Sequence, residues 1–342
     1  MIRQAIARVI EGKNLTEEEM IGVMDQIMEG QATPAQIGSF LTALRMKGET
    51  VAEITGAAKV MRAKATRINA GDKRPLVDTC GTGGDGANTF NVSTASAFVV
   101  AAAGIPVAKH GNRSVSSSCG SADVLEALGV NLALSPEEVG RSVREIGIGF
   151  LFAPALHGAM KHAIGPRREL GIRTIFNLLG PLTNPAGATV QVMGVYSPAL
   201  TEPIATVLGN LGATRALVVC GEGNLDELTV TGATRISEWN GATVSTYEIT
   251  PEAVGLPRCA LADISGGASP AEAAALLQAV LNGQPGPRLD MTLLNSGAAL
   301  MAAGKSDTLE SGVKLARETV MERKAAAKLQ ELIRFSQENS GL

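Results

Sequence analysis

Leu76-Val77-Asp78, followed two residues later by Gly81-Thr82-Gly83-Gly84-Asp85-Gly86, decides the fold: a short apolar run of strand length feeds a loop with four glycines in six positions. Similar runs recur at Ile105-Pro106-Val107-Ala108, Val190-Gln191-Val192-Met193 and Ala216-Leu217-Val218-Val219, separated by Ala-rich stretches. Such alternation predicts βαβ units and a largely parallel sheet. Capping boxes pairing Ser135 with Glu138 and Ser269 with Glu272, each with proline in the first helical position, predict helices on the faces of that sheet. Upstream the texture differs. Ile2, Ala5, Ile6, Val9 and Ile10 form one apolar stripe that Gly12 can end, and three boxes follow: Thr16 with Glu19, Thr33 with Gln36 behind Pro34, and Thr50 with Glu53. The expected architecture is α/β, with a small all-helical N-terminal domain and a larger α/β domain whose mostly parallel central sheet is flanked by helices. The boundaries expected are 1–70 and 71–342, with part of 167–190 joining the helical unit.

A length of 342 residues suits about two domains of roughly 150 residues each. Lys plus Arg number 30 against 33 Asp plus Glu, so no global charge points to nucleic acid or an anionic membrane, and any anion must be bound locally. Cys80, Cys119, Cys220 and Cys259 are scattered without a CxxC pair, and the first segment carries no signal-like apolar block, which predicts a reducing cytoplasm. No apolar run approaches the roughly 20 residues a membrane-spanning helix needs. Few aromatics are available for base stacking.

The chemistry concentrates where strands should end, the place open α/β sheets bind their ligands. The glycine loop lets backbone amides approach an anion closely. It is formally a GxGxxG, but a dinucleotide site needs an acid at the end of the next strand, and no acidic residue lies between Asp85 and Asp123. A P-loop would need Lys-Ser or Lys-Thr after the glycines, and none follows. Asn88-Thr89-Phe90-Asn91-Val92-Ser93-Thr94 leads into an apolar helix over 95–103, clustering hydroxyls and amides at a helix N-terminus, where capping alone would need one of them. The stretch from Lys109 to Ser121 offers two cations, five serines and two glycines before a helix starting near Ala122. Two anion cradles at one sheet edge suggest a ligand with two phosphate groups. Asp226-Glu227, behind Gly221-Glu222-Gly223-Asn224, places adjacent carboxylates where a hard cation bound to phosphates would relieve their repulsion. Gly165-Pro166-Arg167-Arg168, expected just after a helix carrying His157 and His162, offers planar partners for a carboxylate.

GTGGD at 81–85, NVST at 91–94, KHGNRSVSS at 109–117, GSADVLEALGV from Gly120, FNLLGPLTNPA from Phe176 and LDEL from Leu225 resemble the signature blocks of anthranilate phosphoribosyltransferases, over about Leu15 to Arg317. The resemblance implies a helical domain, an α/β domain and a homodimer formed through the helices. It also implies that Gly81, Gly84, Asp85, Thr89, Asn91, Val92, Ser93, Thr94, Lys109, His110, Gly111, Asn112, Arg113, Ser114, Val115, Ser116, Ser117 and Ser121 hold phosphoribosyl pyrophosphate. Asn112 and Arg167, with Gly81, would contact anthranilate, and Ser93, Asp226 and Glu227 would hold two magnesium ions. Ser118-Cys119 stands where the family often has a basic residue then serine, which is expected to weaken pyrophosphate binding, and Cys220 stands where histidine is frequent.

The implied reaction is inverting displacement at the anomeric carbon of the ribose by an aromatic amine, a poor nucleophile, in tryptophan biosynthesis. Bond breaking then runs ahead of bond making, and positioning and electrostatics supply most of the acceleration, with Lys109 and Arg167 the side chains expected to matter most. Two other readings compete: a pyrimidine nucleoside phosphorylase, which would cleave a nucleoside with phosphate, and a non-catalytic nucleic-acid-binding relative, which would need a basic face. The helical domain adds an expectation of its own. Ile2, Ile6, Val9, Ile21, Met24, Ile27, Met28, Ile37, Phe40 and Leu41 are many apolar positions for about 65 residues, and a second copy is expected to cover some of them.

Overall fold

The computed structural model describes residues 1–72, 75–113 and 119–339. Four helices open the chain: α1 (Ile2–Ile10), α2 (Glu17–Met28), α3 (Pro34–Lys47) and α4 (Val51–Lys64). The boxes at Thr16, Thr33 and Thr50 all close in both directions. Glu53 does more than cap: fully buried, it accepts from the Leu15 amide and the Lys47 ammonium, both at 2.9 Å, and so ties the α1–α2 connection to the α3–α4 connection. A buried carboxylate left without such partners would cost several kcal/mol, roughly 3 to 5 on removal of one partner.

Seven strands form one sheet: β1 (Val77–Gly81), β2 (Val107–Gly111), β3 (Ile148–Phe152), β4 (Val190–Gly194), β5 (Arg215–Gly221), β6 (Thr234–Trp239) and β7 (Val244–Ile249). Their order is β3-β2-β1-β4-β5-β6-β7, with the first five parallel and β6 and β7 antiparallel. The β6–β7 hairpin turns at Asn240-Gly241, where Gly241 takes φ +97°. On the faces lie α5 (Val92–Ala102), α6 (Ser121–Ala127), α7 (Pro136–Ile146), α8 (Ala153–Leu156), α9 (Lys161–Leu170), α10 (Phe176–Leu182) and α11 (Thr201–Asn210). The chain closes with α12 (Pro270–Leu281), α13 (Pro287–Ala302), α14 (Leu309–Met321) and α15 (Lys324–Glu338). The Ser135 box closes as expected. The Ser269 box is half formed, because Glu272 Oε2 accepts from the Ala268 amide at 2.9 Å instead of from Ser269.

Strand side chains divide by the two-residue period of the pleat. Val190, Val192, Leu217 and Val219 join a core with α5 and the C-terminal helices, while Met193, Ala216, Val218 and Cys220 join one with the helical bundle, α10 and α11. The bundle and one face of the sheet therefore share a single apolar core. This answers the question of its many apolar residues: Ile2, Val9, Met24, Ile27, Met28, Ile37, Phe40 and Leu41 are buried within the chain, and Ile6 and Ile21 pack against them. No second copy is needed to cover these positions, because Ala163, Ile175, Phe176, Leu178, Leu179 and Leu182 do so. The apolar groups left outside are others, Ile10 at 70% and Met46 at 83% exposure among them.

The region after β3 differs from the sequence expectation. His157 lies past the end of α8, whereas His162, Arg167 and Arg168 all sit on α9, which runs through Pro166 to a left-handed Gly171. Among the described residues no helix is long and apolar enough to cross a membrane.

Candidate active site

Because β1, β2, β4 and β5 are parallel, the glycine loop after β1, the loop after β2 and the acidic loop after β5 all emerge at one edge of the sheet. The acidic loop reaches across β4 to the glycine loop and to the start of α5. The Gly83 amide donates to Asp226 Oδ2 at 2.6 Å, and the Ser93 amide, at the start of α5, donates to Glu227 Oε1 at 3.2 Å. Consecutive acids are thus held by two different segments, the glycine loop and the N-terminus of α5. Glycine at two positions is what admits them. A Cβ on Gly81 would lie 2.2 Å from Asp226 Oδ2, and one on Gly194 would lie 1.5 Å from the Asp226 backbone oxygen.

These carboxylates are electrostatically uncomfortable. Burial raises the Asp226 carboxyl to about 7, with the Asp85 charge adding to the shift. Burial also raises Glu227 well above the usual carboxylate range, reinforced by Asp226 and opposed by Lys109. Among the described residues no three His, Cys, Asp or Glu side chains stand in metal-holding geometry. Two repelling, oxygen-only side chains beside two anion cradles fit a hard divalent cation whose remaining ligands come from phosphate and water.

Lys109 is buried on β2, with its ammonium 2.6 Å from the Thr79 carbonyl and 3.2 Å from Ser93 Oγ. Burial lowers its pKa, and the nearby Asp78, Cys80 and Glu227 raise it. Asp78, fully buried on β1, accepts from the His110 amide at 3.1 Å and from Asn184 Nδ2 at 2.8 Å. Burial raises this carboxyl to about 6, against the pull of Lys109 and these hydrogen bonds. Asn184 also holds the Ala108 carbonyl at 2.8 Å, so it and Asp78 together fix how β1 and β2 present their ends. Neither residue was singled out in the sequence, where a buried Asp or Asn carries no local signature.

The expected phosphate-binding residues fall into distinct situations. Asp85 closes the glycine loop on itself by accepting from the Ala87 amide at 3.0 Å. Thr89 pairs with Ser265. Asn91 reaches across to the Cys119 carbonyl at 3.2 Å, joining the α5 N-terminus to the loop after β2. Val92 packs into the core, and Thr94 is buried with its Oγ1 unpartnered. Asn112 and Ser121 meet at the neck of the second loop, Ser121 Oγ donating to the Asn112 carbonyl at 3.2 Å. At Gly111 a Cβ would lie 2.3 Å from that same Oγ. Arg113 turns instead to α6, where it pairs with Asp123 at 2.9 Å and Glu126 at 2.8 Å. Ser114, Val115, Ser116, Ser117 and Ser118 lie outside the described residues. Cys119 is buried and its thiol is pushed up to about 11 by that burial, so it is no nucleophile.

His110 Nε2 lies 3.2 Å from Nε2 of His157, with both rings buried. Burial and the neighbouring ring push His110 down to about 3, and burial takes His157 to about 4, so both stay neutral. Of the two facing Nε2 atoms one donates and the other accepts, as the tautomers of the two neutral rings dictate. Arg167 on α9 is half-buried, with its guanidinium 4.9 Å over the Phe176 ring. Contacts to the sheet edge bracket that helix: His157 with His110 before it, and Arg173 with the Gly84 carbonyl after it. Arg173 was missed in the sequence, where it reads as an ordinary loop arginine.

Comparison with known proteins matches two consecutive families to the two parts of the chain. Residues 3–65 match the helical bundle domain of a glycosyl transferase family, and residues 73–326 match its a/b domain. Anthranilate phosphoribosyltransferase of Desulfotalea psychrophila is 62% identical over 98% of this chain and 97% of its own. The crystal structure of the Thermus thermophilus enzyme of that name superposes with a TM-score of 0.92 at 47% identity, covering 97% of this chain and 99% of its own. The Saccharomyces cerevisiae enzyme, solved with phosphoribosyl pyrophosphate and magnesium, superposes with a TM-score of 0.87 at 27% identity over 98% of both chains. It has also been solved with 4-fluoroanthranilate.

Proposed function

We propose a division of labour among the site residues on the premise that the chain belongs to the anthranilate phosphoribosyltransferase family. It transfers the phosphoribosyl group of phosphoribosyl pyrophosphate to the amine of anthranilate, giving N-(5-phosphoribosyl)anthranilate and pyrophosphate in tryptophan biosynthesis. The observation that carries the assignment of roles is the linking of the glycine loop to the start of α5 by the consecutive acids Asp226 and Glu227.

In this reading Gly81, Gly84 and Asp85 of the glycine loop, Thr89, Asn91 to Thr94, Lys109 to Ser117 and Ser121 hold the phosphoribosyl pyrophosphate. Ser93, Asp226 and Glu227, together with the pyrophosphate, would hold two magnesium ions, whose chemistry would be to neutralise charge on the departing group. Lys109 fixes Ser93 and supplies positive charge beneath the cradle. Arg167 takes the anthranilate carboxylate, with Gly81 and Asn112 beside it. The nitrogen of anthranilate forms a bond to the anomeric carbon as the carbon–oxygen bond to pyrophosphate breaks, and the amine then loses a proton to solvent. No side chain has to act as a strong base, since the buried carboxylates serve the leaving group and the histidine pair is held neutral. Enclosure of the ribose keeps water from intercepting its cation-like centre.

Two further proposals concern the setting. Four free cysteines support a cytoplasmic location. A homodimer formed through the helical domain is part of the same reading, as the family resemblance implies. The decisive experiment follows anthranilate fluorescence with phosphoribosyl pyrophosphate and magnesium, and pyrophosphate release in parallel. Loss of fluorescence matched by pyrophosphate is expected; pyrophosphate released at the same rate without anthranilate would defeat the reading.

A further inference from the structure

The glycine loop is anchored at three points along its length. Its start is held by Asp226 through the Gly83 amide. Its exit is pinned where Phe90 donates to the Ile264 carbonyl at 3.1 Å and Gly266 donates to the Asn88 carbonyl at 2.7 Å. Between them the Gly84 carbonyl accepts from Arg173 Nη2. The same guanidinium lies 4.5 Å over the ring of Tyr196, just past the end of β4, and its Nε would be 3.4 Å from a Cβ on Gly84. Tyr196 in turn lies within the electrostatic reach of Arg45 and Glu49, at the end of α3 and just beyond it. A line of contacts therefore runs from the Tyr196 ring through the Arg173 guanidinium to the middle of the loop.

Arginine suits this place because its plane can stack on a ring while its edge still donates a hydrogen bond. A peptide is planar, so holding the Gly84 carbonyl also fixes the N–H of Asp85, which points the opposite way. We propose that Arg173 is a positioning residue for the glycine loop: stacked on Tyr196, it orients the Gly84–Asp85 peptide so that the loop's amides are set for a phosphate before substrate arrives. The inference rests on the reading that this loop holds phosphoribosyl pyrophosphate.

The test compares the parent with Arg173→Ala, Arg173→Lys, Tyr196→Phe and Tyr196→Ala. The parent must first consume anthranilate with phosphoribosyl pyrophosphate; if it does not, the functional reading falls independently of Arg173. Losing one charge-assisted bond and its stack should raise KM for phosphoribosyl pyrophosphate about tenfold in Arg173→Ala. KM for anthranilate, kcat and the melting temperature should stay near the parent. Arg173→Lys should not rescue, Tyr196→Phe should match the parent, and Tyr196→Ala should follow Arg173→Ala without adding to it in the double variant. In the unliganded protein, amide exchange over residues 83–88 should quicken while α5 keeps its protection. Unchanged KM and unchanged exchange in Arg173→Ala would overturn the proposal, as would a drop of kcat and melting temperature together with a rise of both KM values. Should Arg173→Ala not fold, Arg173→Lys and Tyr196→Ala decide by the same two readouts.

Discussion

Asp226 and Gly83 stand 143 residues apart in sequence, yet the Gly83 amide donates to the Asp226 carboxylate at 2.6 Å and locks the acidic loop against the glycine loop. Each side needs the other: the amide gains an acceptor, and the carboxylate regains part of the solvation that burial removes. Close approach of the two backbones is the geometric condition for that bond, and glycine at 81 and 194 provides it.

Gly81→Ala tests that condition. Its added Cβ would sit 2.2 Å from Asp226 Oδ2, the movable end of a side chain, so the chain should fold with the carboxylate displaced by about 1 Å. A displacement of that size costs roughly a hundredfold in rate when it touches the reacting constellation. Gly194→Ala meets backbone instead, 1.5 Å from the Asp226 oxygen, and should reduce folded yield as well as activity. Initial rates against magnesium, with a melting curve for each, check the pair; a folded Gly81→Ala with parental magnesium dependence would contradict the geometry.

Arg167 is the candidate partner of the anthranilate carboxylate. Loss of a charge-assisted hydrogen bond, worth roughly 1.5 to 3 kcal/mol, should lower kcat/KM for anthranilate about ten- to a hundredfold in Arg167→Ala. Its stack on Phe176 adds packing that alanine also removes, so Arg167→Lys, which keeps charge but not the planar fork, separates the two contributions. A folded Arg167→Ala with unchanged kcat/KM for anthranilate would return the residue to the surface.

Much of this site was legible in sequence because its parts are contiguous. Glycines at 81, 83, 84 and 86, the cluster from Asn91 to Thr94 and the pair Asp226-Glu227 each announce their chemistry within a few residues. Strands β1, β2, β4 and β5 were legible for the same reason; β3 and the β6–β7 hairpin were not, although the hairpin's Asn240-Gly241 turn is a readable signal. Asp78, Asn184 and Arg173 were not legible, since their meaning lies in partners far along the chain: Asn184 meets Asp78 across 106 residues, and Arg173 meets Gly84 across 89. Apolar counting in the bundle failed for a related reason. Which surface will cover Phe40 or Met24 depends on tertiary packing, and here it is α10 and the sheet.

The buried pair His110 and His157 makes stability depend on pH. Both have folded pKa values below the unfolded value of 6.5, about 3 and about 4, so the unfolded chain takes up protons that the folded chain refuses. Their contribution is therefore full above pH 6.5 and is lost as the pH falls from 6.5 toward 4. Each proton steepens the curve by about 1.4 kcal/mol per pH unit in that window. Buried Asp78, raised to about 6, acts in the opposite direction, so the comparison must be a difference between variants. His157→Gln should flatten the loss of stability between pH 6.5 and 4 by about one proton, read from urea midpoints; an identical pH profile would mean that His157 is solvated in the folded chain.

Asp226→Asn combined with Glu227→Gln separates a metal site from surface charge most sharply. The substitution removes two ionisable carboxyls, nearly preserves volume and keeps an oxygen acceptor for the Gly83 and Ser93 amides. Activity should fall steeply and the magnesium dependence should change. Stability should move the other way. Asp226 is raised in the folded chain from 3.8 to about 7, so the folded state binds a proton more readily than the unfolded state between those values, and the parent loses stability as pH rises through that range. The double variant, relieved of that loss, should gain most over the parent at and above about pH 7 and nothing below about pH 4, the pattern expected where function is built on unfavourable local electrostatics. Melting curves at pH 5 and pH 8, beside initial rates over a range of magnesium at saturating phosphoribosyl pyrophosphate, measure both effects. A folded double variant with parental magnesium dependence would mean that substrate alone holds the metal, and Asp226 and Glu227 would then leave the site.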